Sequence, residues 1–165
     1  MVVSMLLEEN KRCKGGKMKF DWGKLNHLQL GRYAEYYAKM EFTLLGFDVY
    51  EPEVDDKGID FIIRKDENKF YEIQVKSNFK GNYIFMQKDK FILREGLYLV
   101  LVLFTEGKSP ELYLIPSTAW KEPNELFVSH DYPGKKSKPE YGINLSKKNF
   151  PKLSEYEFDK VAKTI

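Results

Sequence analysis

The chain has 165 residues, 42% apolar, 15% aromatic and 32% charged, with 27 basic and 25 acidic side chains and a formal charge of +2. A chain of this length hides roughly two-thirds of its unfolded surface on folding, so it needs no disulfide or metal staple, and its composition excludes a collagen-like repeat or a disordered tail. Its most apolar run, Leu97 to Phe104, falls far short of the roughly 20 residues of a bilayer-crossing helix, and a single cysteine, Cys13, excludes an intramolecular disulfide and fits a cytoplasmic setting.

Met1 to Leu7 has no basic n-region and runs straight into Glu8 and Glu9, which does not read as a secretory signal. Residues 1–24, with Lys11, Arg12, Lys14, Lys17 and Lys19 and no apolar period, are expected to be a mobile basic lead-in. A single domain over 25–165 follows, with its core in 27–116. Between Leu25 and Leu45 the residues Leu30, Ala34, Tyr37, Ala38, Leu44 and Leu45 share one arc of a 3.6-residue wheel, which predicts a long amphipathic helix ended by Gly46. A strand is expected at Phe47 to Tyr50, then a turn from Pro52 to Gly58. Ile59 to Arg64 and Phe70 to Lys76 form a hairpin pattern around Lys65-Asp66-Glu67-Asn68-Lys69.

A short helix is expected at Gln87 to Arg94. Leu97 to Phe104 reads as a central strand covered on both faces, with Leu112 to Ile115 pairing to it across the Gly107 to Pro110 turn. Beyond Pro116, four prolines (Pro123, Pro133, Pro139 and Pro151) interrupt the pattern, and only Ser154 to Thr164 suggests a helix. The order describes a small α/β or α+β domain: a mixed β-sheet, a long N-terminal helix and a short crossover helix.

The strand Tyr71-Glu72-Ile73-Gln74-Val75-Lys76 alternates, so Glu72, Gln74 and Lys76 share a polar face while Tyr71, Ile73 and Val75 share an apolar one. The hairpin brings Asp60, entering the sheet behind Gly58, close to that polar face. On the helix, Glu35 sits at the edge of the apolar arc beside Gly31. Two carboxylates, an amide oxygen and a lysine converging on one point suit Mg²⁺, or Mn²⁺ in its place, because these hard ions take oxygen ligands and bridge to phosphate. Lys76 would position the attacking water and counter charge on the phosphoryl oxygens.

Gly31-x-x-x-Glu35, Gly58-Ile59-Asp60 and Ile73-Gln74-Val75-Lys76-Ser77 together resemble the PD-(D/E)xK nuclease superfamily with its restriction-endonuclease-like core. The resemblance is strongest to the branch with glutamine at the middle acidic position, typified by the cyanobacterial group I intron homing endonucleases. It covers about residues 27–116 and includes Tyr113-Leu114-Ile115-Pro116; Asp60 lies 25 residues after Glu35, and Gln74 14 after Asp60. The resemblance implies that Glu35, Asp60, Gln74 and Lys76 are catalytic, the first three serving the metal. Gln74 is neutral where most members carry a charge, which weakens metal binding; Glu72, on the same strand face, is expected to compensate. Glu41, inside the helix's apolar arc, is an alternative to Glu35. His27 and His130 lack further ligands at zinc spacing.

Residues 47–60 carry six acidic side chains against Lys57, a net of −5, and residues 64–94 carry eight basic against four acidic, a net of +4. An acidic pocket beside a basic strip fits a polyanionic partner. The loop Asn78 to Tyr83 mixes amides, aromatics and Lys80, so Lys80, Asn82, Lys88 and Lys90 are candidate nucleic-acid contacts, with Lys135, Lys136 and Lys138 a weaker group. The expected function is a Mg²⁺-dependent DNA endonuclease, working as a homodimer or homotetramer to cut two strands. A Holliday-junction resolvase on the same fold, and a non-catalytic nucleic-acid-binding module on a degenerate nuclease fold, are the alternatives.

Overall fold

The computed structural model describes residues 19–54 and 57–165. The long helix α1 spans His27–Leu44. Asn26 starts it with a reciprocal cap: its side chain accepts the Gln29 N–H at 3.0 Å, and the Gln29 side chain accepts the Asn26 N–H at 3.0 Å. Gly46 ends it at φ +86°, the left-handed conformation anticipated for this glycine.

Five strands form the main sheet: β1 (Asp48–Tyr50), β2 (Phe61–Asp66), β3 (Lys69–Phe79), β5 (Leu97–Phe104) and β6 (Glu111–Pro116), in the spatial order β1-β2-β3-β5-β6. The β2/β3 hairpin is antiparallel, with Phe61 opposite Ile73; β3 and β5 run parallel, with Gln74 opposite Leu99 and Lys76 opposite Leu101. Helix α1 covers one face, where Leu30, Ala34, Ala38 and Phe42 pack with Phe61, Ile63, Ile73, Val100 and Val102. The fully buried Ala34 and Ala38 let the helix backbone close on the sheet.

The opposite face explains why Leu97 to Phe104 is apolar throughout. Leu97, Leu99, Leu101 and Leu103 pack there with Ile84, Met86, Trp120, Phe127 and Ile143. That cover is a second sheet of β4 (Tyr83–Gln87), β7 (Phe127–His130) and β8 (Glu140–Asn144), in the order β4-β8-β7. Trp120 ties the layers by donating its indole N–H to the Gly142 carbonyl at 2.9 Å. Gly142 has its own steric reason, since a Cβ there would lie 2.1 Å from the Tyr83 hydroxyl.

Three expectations change. The stretch Gln87 to Arg94 is not a helix: it makes one turn, in which Lys90 and Phe91 both donate to the Gln87 carbonyl at 3.0 Å, and Tyr83–Gln87 before it is strand. The region after Pro116 is ordered into β7 and β8, because Pro133 and Pro139 fall in the connection between them rather than inside either strand. The lead-in ends sooner than residue 24, since Trp22 is only 4% exposed within the helix-side core and donates its indole N–H to the Lys108 carbonyl at 2.9 Å. Residues 1–18 of that lead-in lie outside the described residues. The C-terminal helix is α2, Phe158–Ala162, with Phe158 and Ala162 buried. No helix among the described residues is long and apolar enough to cross a membrane.

Candidate active site

The site exists because β3 outruns its hairpin partner. Strand β2 begins at Phe61 opposite Ile73, so residues 74–79 of β3 keep β5 on one side only. Asp60 caps this opening. Its backbone N–H donates to the Ile73 carbonyl at 2.9 Å, and its carboxylate accepts the Val75 N–H at 2.5 Å, substituting for the next strand carbonyl. A side chain held by a main-chain bond to the neighbouring strand has little freedom left, which places its charge at a fixed point beside β3.

A cleft of about 760 Å³ opens there. Its walls are His27, Gly31 and Glu35 from α1, Gly58 and Asp60 from the turn before β2, Gln74 to Asn78 from β3, Tyr83 to Gln87 of β4, and Lys90. All four expected catalytic residues, Glu35, Asp60, Gln74 and Lys76, thus face one cavity. Glu35 enters it while paired with Arg32 on its outer side at 2.8 Å.

Gln74 is 6% exposed, and its Oε1 is buried with no hydrogen-bond partner among the described residues. Leaving such an acceptor unsatisfied costs about 1–3 kcal/mol. Gly58 makes the packing of this amide feasible: it sits at φ +72°, and a Cβ on it would lie 3.0 Å from the Gln74 Nε2 and 3.1 Å from the Lys90 carbonyl. Asp60, Glu35 and the orphaned Oε1 are hard oxygen donors of the kind a divalent cation takes. Among the described residues, no group of three or more His, Cys, Asp or Glu side chains is arranged to hold a metal.

Two acidic candidates go elsewhere. Glu72, expected to compensate for the neutral Gln74, is engaged by Arg94, whose Nε lies 2.7 Å away and whose Nη2 is also in contact; it does not line the cleft. Glu41 lines a separate hollow of about 340 Å³ with Tyr37, Glu111 and Tyr113. There burial first, and then the Glu41 charge, raise the Tyr37 hydroxyl above its ordinary range.

Of the expected nucleic-acid contacts, Lys90 lines the cleft. Lys80, at φ +63°, stands 4.6 Å from the centre of the Phe79 ring in an adjoining hollow that meets the cleft at Asn78. Lys88 pairs with Asp131 at 2.6 Å, and the Asn82 carbonyl accepts the Leu145 N–H at 2.7 Å; neither residue lines the cleft. The basic strip is thus partly consumed internally, Arg94 by Glu72 and Arg64 by Asp48. Lys138 likewise pairs with Asp89 at 3.2 Å.

Sequence reasoning missed His27 and Ile84 to Gln87 as cleft residues, whereas Tyr83 closes the loop read as a substrate contact. The spacing by four of His27, Gly31 and Glu35 places them on one stripe of α1 and carried a usable signal. Strand β4 gave less, because its five residues depend on β8, far along the chain, for pairing.

No protein-family model matches the chain, and a comparison with curated proteins finds no match. Among solved structures, it is similar to a Holliday junction resolvase from Archaeoglobus fulgidus, an archaeal hyperthermophile, with a TM-score of 0.52 and 14% identity over 81% of this chain and 95% of that one. A bacterial homing endonuclease is similar with a TM-score of 0.48 and 16% identity over 84% of this chain and 93% of that one. The resolvase likeness, with the mixed sheet and its helices, shows the fold: α+β, restriction-endonuclease-like.

Proposed function

We propose that this protein is a divalent-metal-dependent endonuclease that hydrolyses DNA phosphodiester bonds in the cleft between α1, β3 and β4. The observation that carries this reading is the convergence of Asp60, Gln74 and Lys76 on one cavity, with the Asp60 carboxylate fixed by the Val75 N–H and the Gln74 Oε1 buried without a partner among the described residues. The resolvase whose fold this chain shares is named for a DNA substrate, which adds support.

Asp60, Glu35 and the Gln74 Oε1 would hold Mg²⁺ or Mn²⁺. When bound, such an ion polarises a phosphoryl oxygen and favours attack by water. Lys76 contributes a positive charge on the same strand face as Gln74, where it orients the attacking water and stabilises the charge that grows on the phosphoryl oxygens. Gln74 holds its oxygen in place without adding charge, which favours one weakly bound ion over two. Cutting both strands of a duplex with one site per chain calls for a homodimer or homotetramer.

The test is cleavage of plasmid, hairpin and four-way-junction DNA with Mg²⁺, with Mn²⁺, with chelator and with Lys76→Ala. Metal-dependent nicking that Lys76→Ala abolishes is the expected result. Equal nicking by wild type and Lys76→Ala would overturn the proposal. Preferential cutting of the four-way junction would specify a resolvase. Salt-dependent DNA binding with no metal response would instead identify a binding module, the reading that the neutral Gln74 favours.

A further inference from the structure

The β4 wall of the cleft carries two aromatic rings, Tyr83 and Phe85. Strand β4 alternates, burying Ile84 and Met86 in the core between the sheets and leaving Tyr83, Phe85 and Gln87 more exposed, and all five residues line the cleft. Tyr83 is 37% exposed and Phe85 50%. Since β4 is an edge strand of its sheet, its outward positions are ones where proteins usually place lysine or proline to discourage unwanted pairing. A half-exposed phenylalanine there gains nothing from the core.

Tyr83 is locked in place. Its hydroxyl donates to Glu140 at 2.8 Å, and its ring end lies over Gly142, where any larger residue would collide with it. Phe85 is the next outward side chain, roughly 7 Å along the strand. The Gln87 amide, which can hydrogen-bond a base edge, lines the same cleft, as do Asn78, whose amide N–H donates to the Gly81 carbonyl at 2.8 Å, and the cationic Lys76 and Lys90. A ligand that satisfies this lining has a flat apolar face, polar edges and a negative charge. A nucleotide has all three, but within a duplex its faces are covered by neighbouring bases and only an unpaired base can offer one to a side chain.

Resting on the nuclease reading above, we infer that the cleft holds an unpaired nucleobase stacked on Phe85, so that the phosphodiester presented to Asp60 and Lys76 is one beside an unstacked nucleotide. The substrate class is therefore forked, flapped or single-stranded DNA rather than continuous duplex.

The experiment measures binding of a forked oligonucleotide, carrying 2-aminopurine at its first unpaired position, and of a blunt duplex of equal length. It is done in chelator with wild type, Phe85→Ala and Phe85→Trp, each confirmed folded by circular dichroism. Wild type should prefer the fork, Phe85→Ala should lower the fork-to-duplex affinity ratio roughly tenfold, and Phe85→Trp should restore it with quenching of 2-aminopurine emission. An unchanged ratio in Phe85→Ala, with metal-dependent cleavage intact, would overturn this inference and leave the nuclease reading standing. If folded wild type bound neither DNA and cleaved neither with Mg²⁺, both would fall.

Discussion

The Asp60 carboxylate accepts the Val75 N–H at 2.5 Å while the Asp60 N–H donates to the Ile73 carbonyl at 2.9 Å, so one residue bridges two successive rungs of β3. Its side chain therefore has a structural task that an amide can share and an electrostatic one that it cannot. Asp60→Asn keeps an acceptor for Val75 and should lose only about 1 kcal/mol, the difference between a charged and a neutral hydrogen bond. For a chain of this size that is a fall in melting temperature of roughly 2–4 °C. Cleavage should drop about 100-fold or more, as when one preorganised charge is removed from a site. Thermal melts beside Mg²⁺-dependent cleavage rates check this, and wild-type cleavage by Asp60→Asn would sink the assigned role.

Gln74 offers a test that runs in the opposite direction. Gln74→Glu puts a third carboxylate into the cleft with Asp60 and Glu35, in a buried position where like charges repel. Without metal the variant should be less stable than wild type by about 1–3 kcal/mol. Added Mg²⁺ should raise its melting temperature more than that of wild type, because binding to the folded state alone is stabilising. Differential scanning fluorimetry over a Mg²⁺ titration reads both effects, and identical Mg²⁺ responses in the two proteins would count against a metal at this amide.

Gly58 is required twice, by its φ of +72° and by the 3.0 Å that would separate a Cβ from the Gln74 Nε2. Gly58→Ala should destabilise by about 1–2 kcal/mol from the backbone conformation alone. The added methyl also presses on the Gln74 amide, so cleavage should fall further than the loss of folded protein explains. Urea unfolding gives the first quantity and kcat on folded enzyme the second; a loss in stability with kcat unchanged would show that the amide has freedom to move.

The sequence was most legible where a segment's pattern was complete in itself. Helix α1 declared Leu30, Ala34 and Ala38 of its buried arc, though Leu44, expected there, is 80% exposed and Phe42 is buried in the arc instead; β5 declared its burial on both faces, and β3 its two chemically distinct sides. The grouping of Asp60, Gln74 and Lys76 followed because the β2/β3 hairpin is local. The second sheet was hidden because β4 pairs with β8, with Tyr83 opposite Asn144, and no short-range pattern encodes a partner that distant. Ion pairing was illegible for the same reason: that Arg94 takes Glu72 and Asp131 takes Lys88 depends on loops meeting across the fold. Trp22 looked like part of a tail because one aromatic in a basic stretch has no period, yet its pocket is built by Tyr33 and Phe104.

Alkaline stability should depend on Tyr113. Burial first, then the Glu111 charge and the hydrogen bond donated to Glu111 at 3.2 Å, push its hydroxyl up to about 12 from an ordinary 10. The folded state therefore keeps a proton that the unfolded chain gives up above pH 10. The stabilisation is whole below pH 10 and is lost as pH rises from 10 through about 12. Tyr113→Phe has no proton to lose, so its unfolding free energy should fall less steeply than that of wild type across this window. Urea denaturation at a series of alkaline pH values measures the two slopes, and equal slopes would mean that the hydroxyl titrates alike in both states.

Trp22 should be among the costliest residues to truncate although it lies before the first long helix. Its ring centre is 5.0 Å from that of Tyr33 and 4.7 Å from that of Phe104, and its N–H reaches the Lys108 carbonyl at 2.9 Å. It thereby pins the segment before α1 to the turn between β5 and β6. Trp22→Ala leaves a cavity between α1 and β5 and orphans the Lys108 carbonyl, for an expected loss of about 3–5 kcal/mol. Trp22→Phe refills most of the volume and drops only the hydrogen bond, for about 1–2 kcal/mol. The order of the two variants in urea unfolding is diagnostic: equal losses would place the energy in the Lys108 bond, whereas a much larger loss in Trp22→Ala places it in the packing of α1 on the sheet.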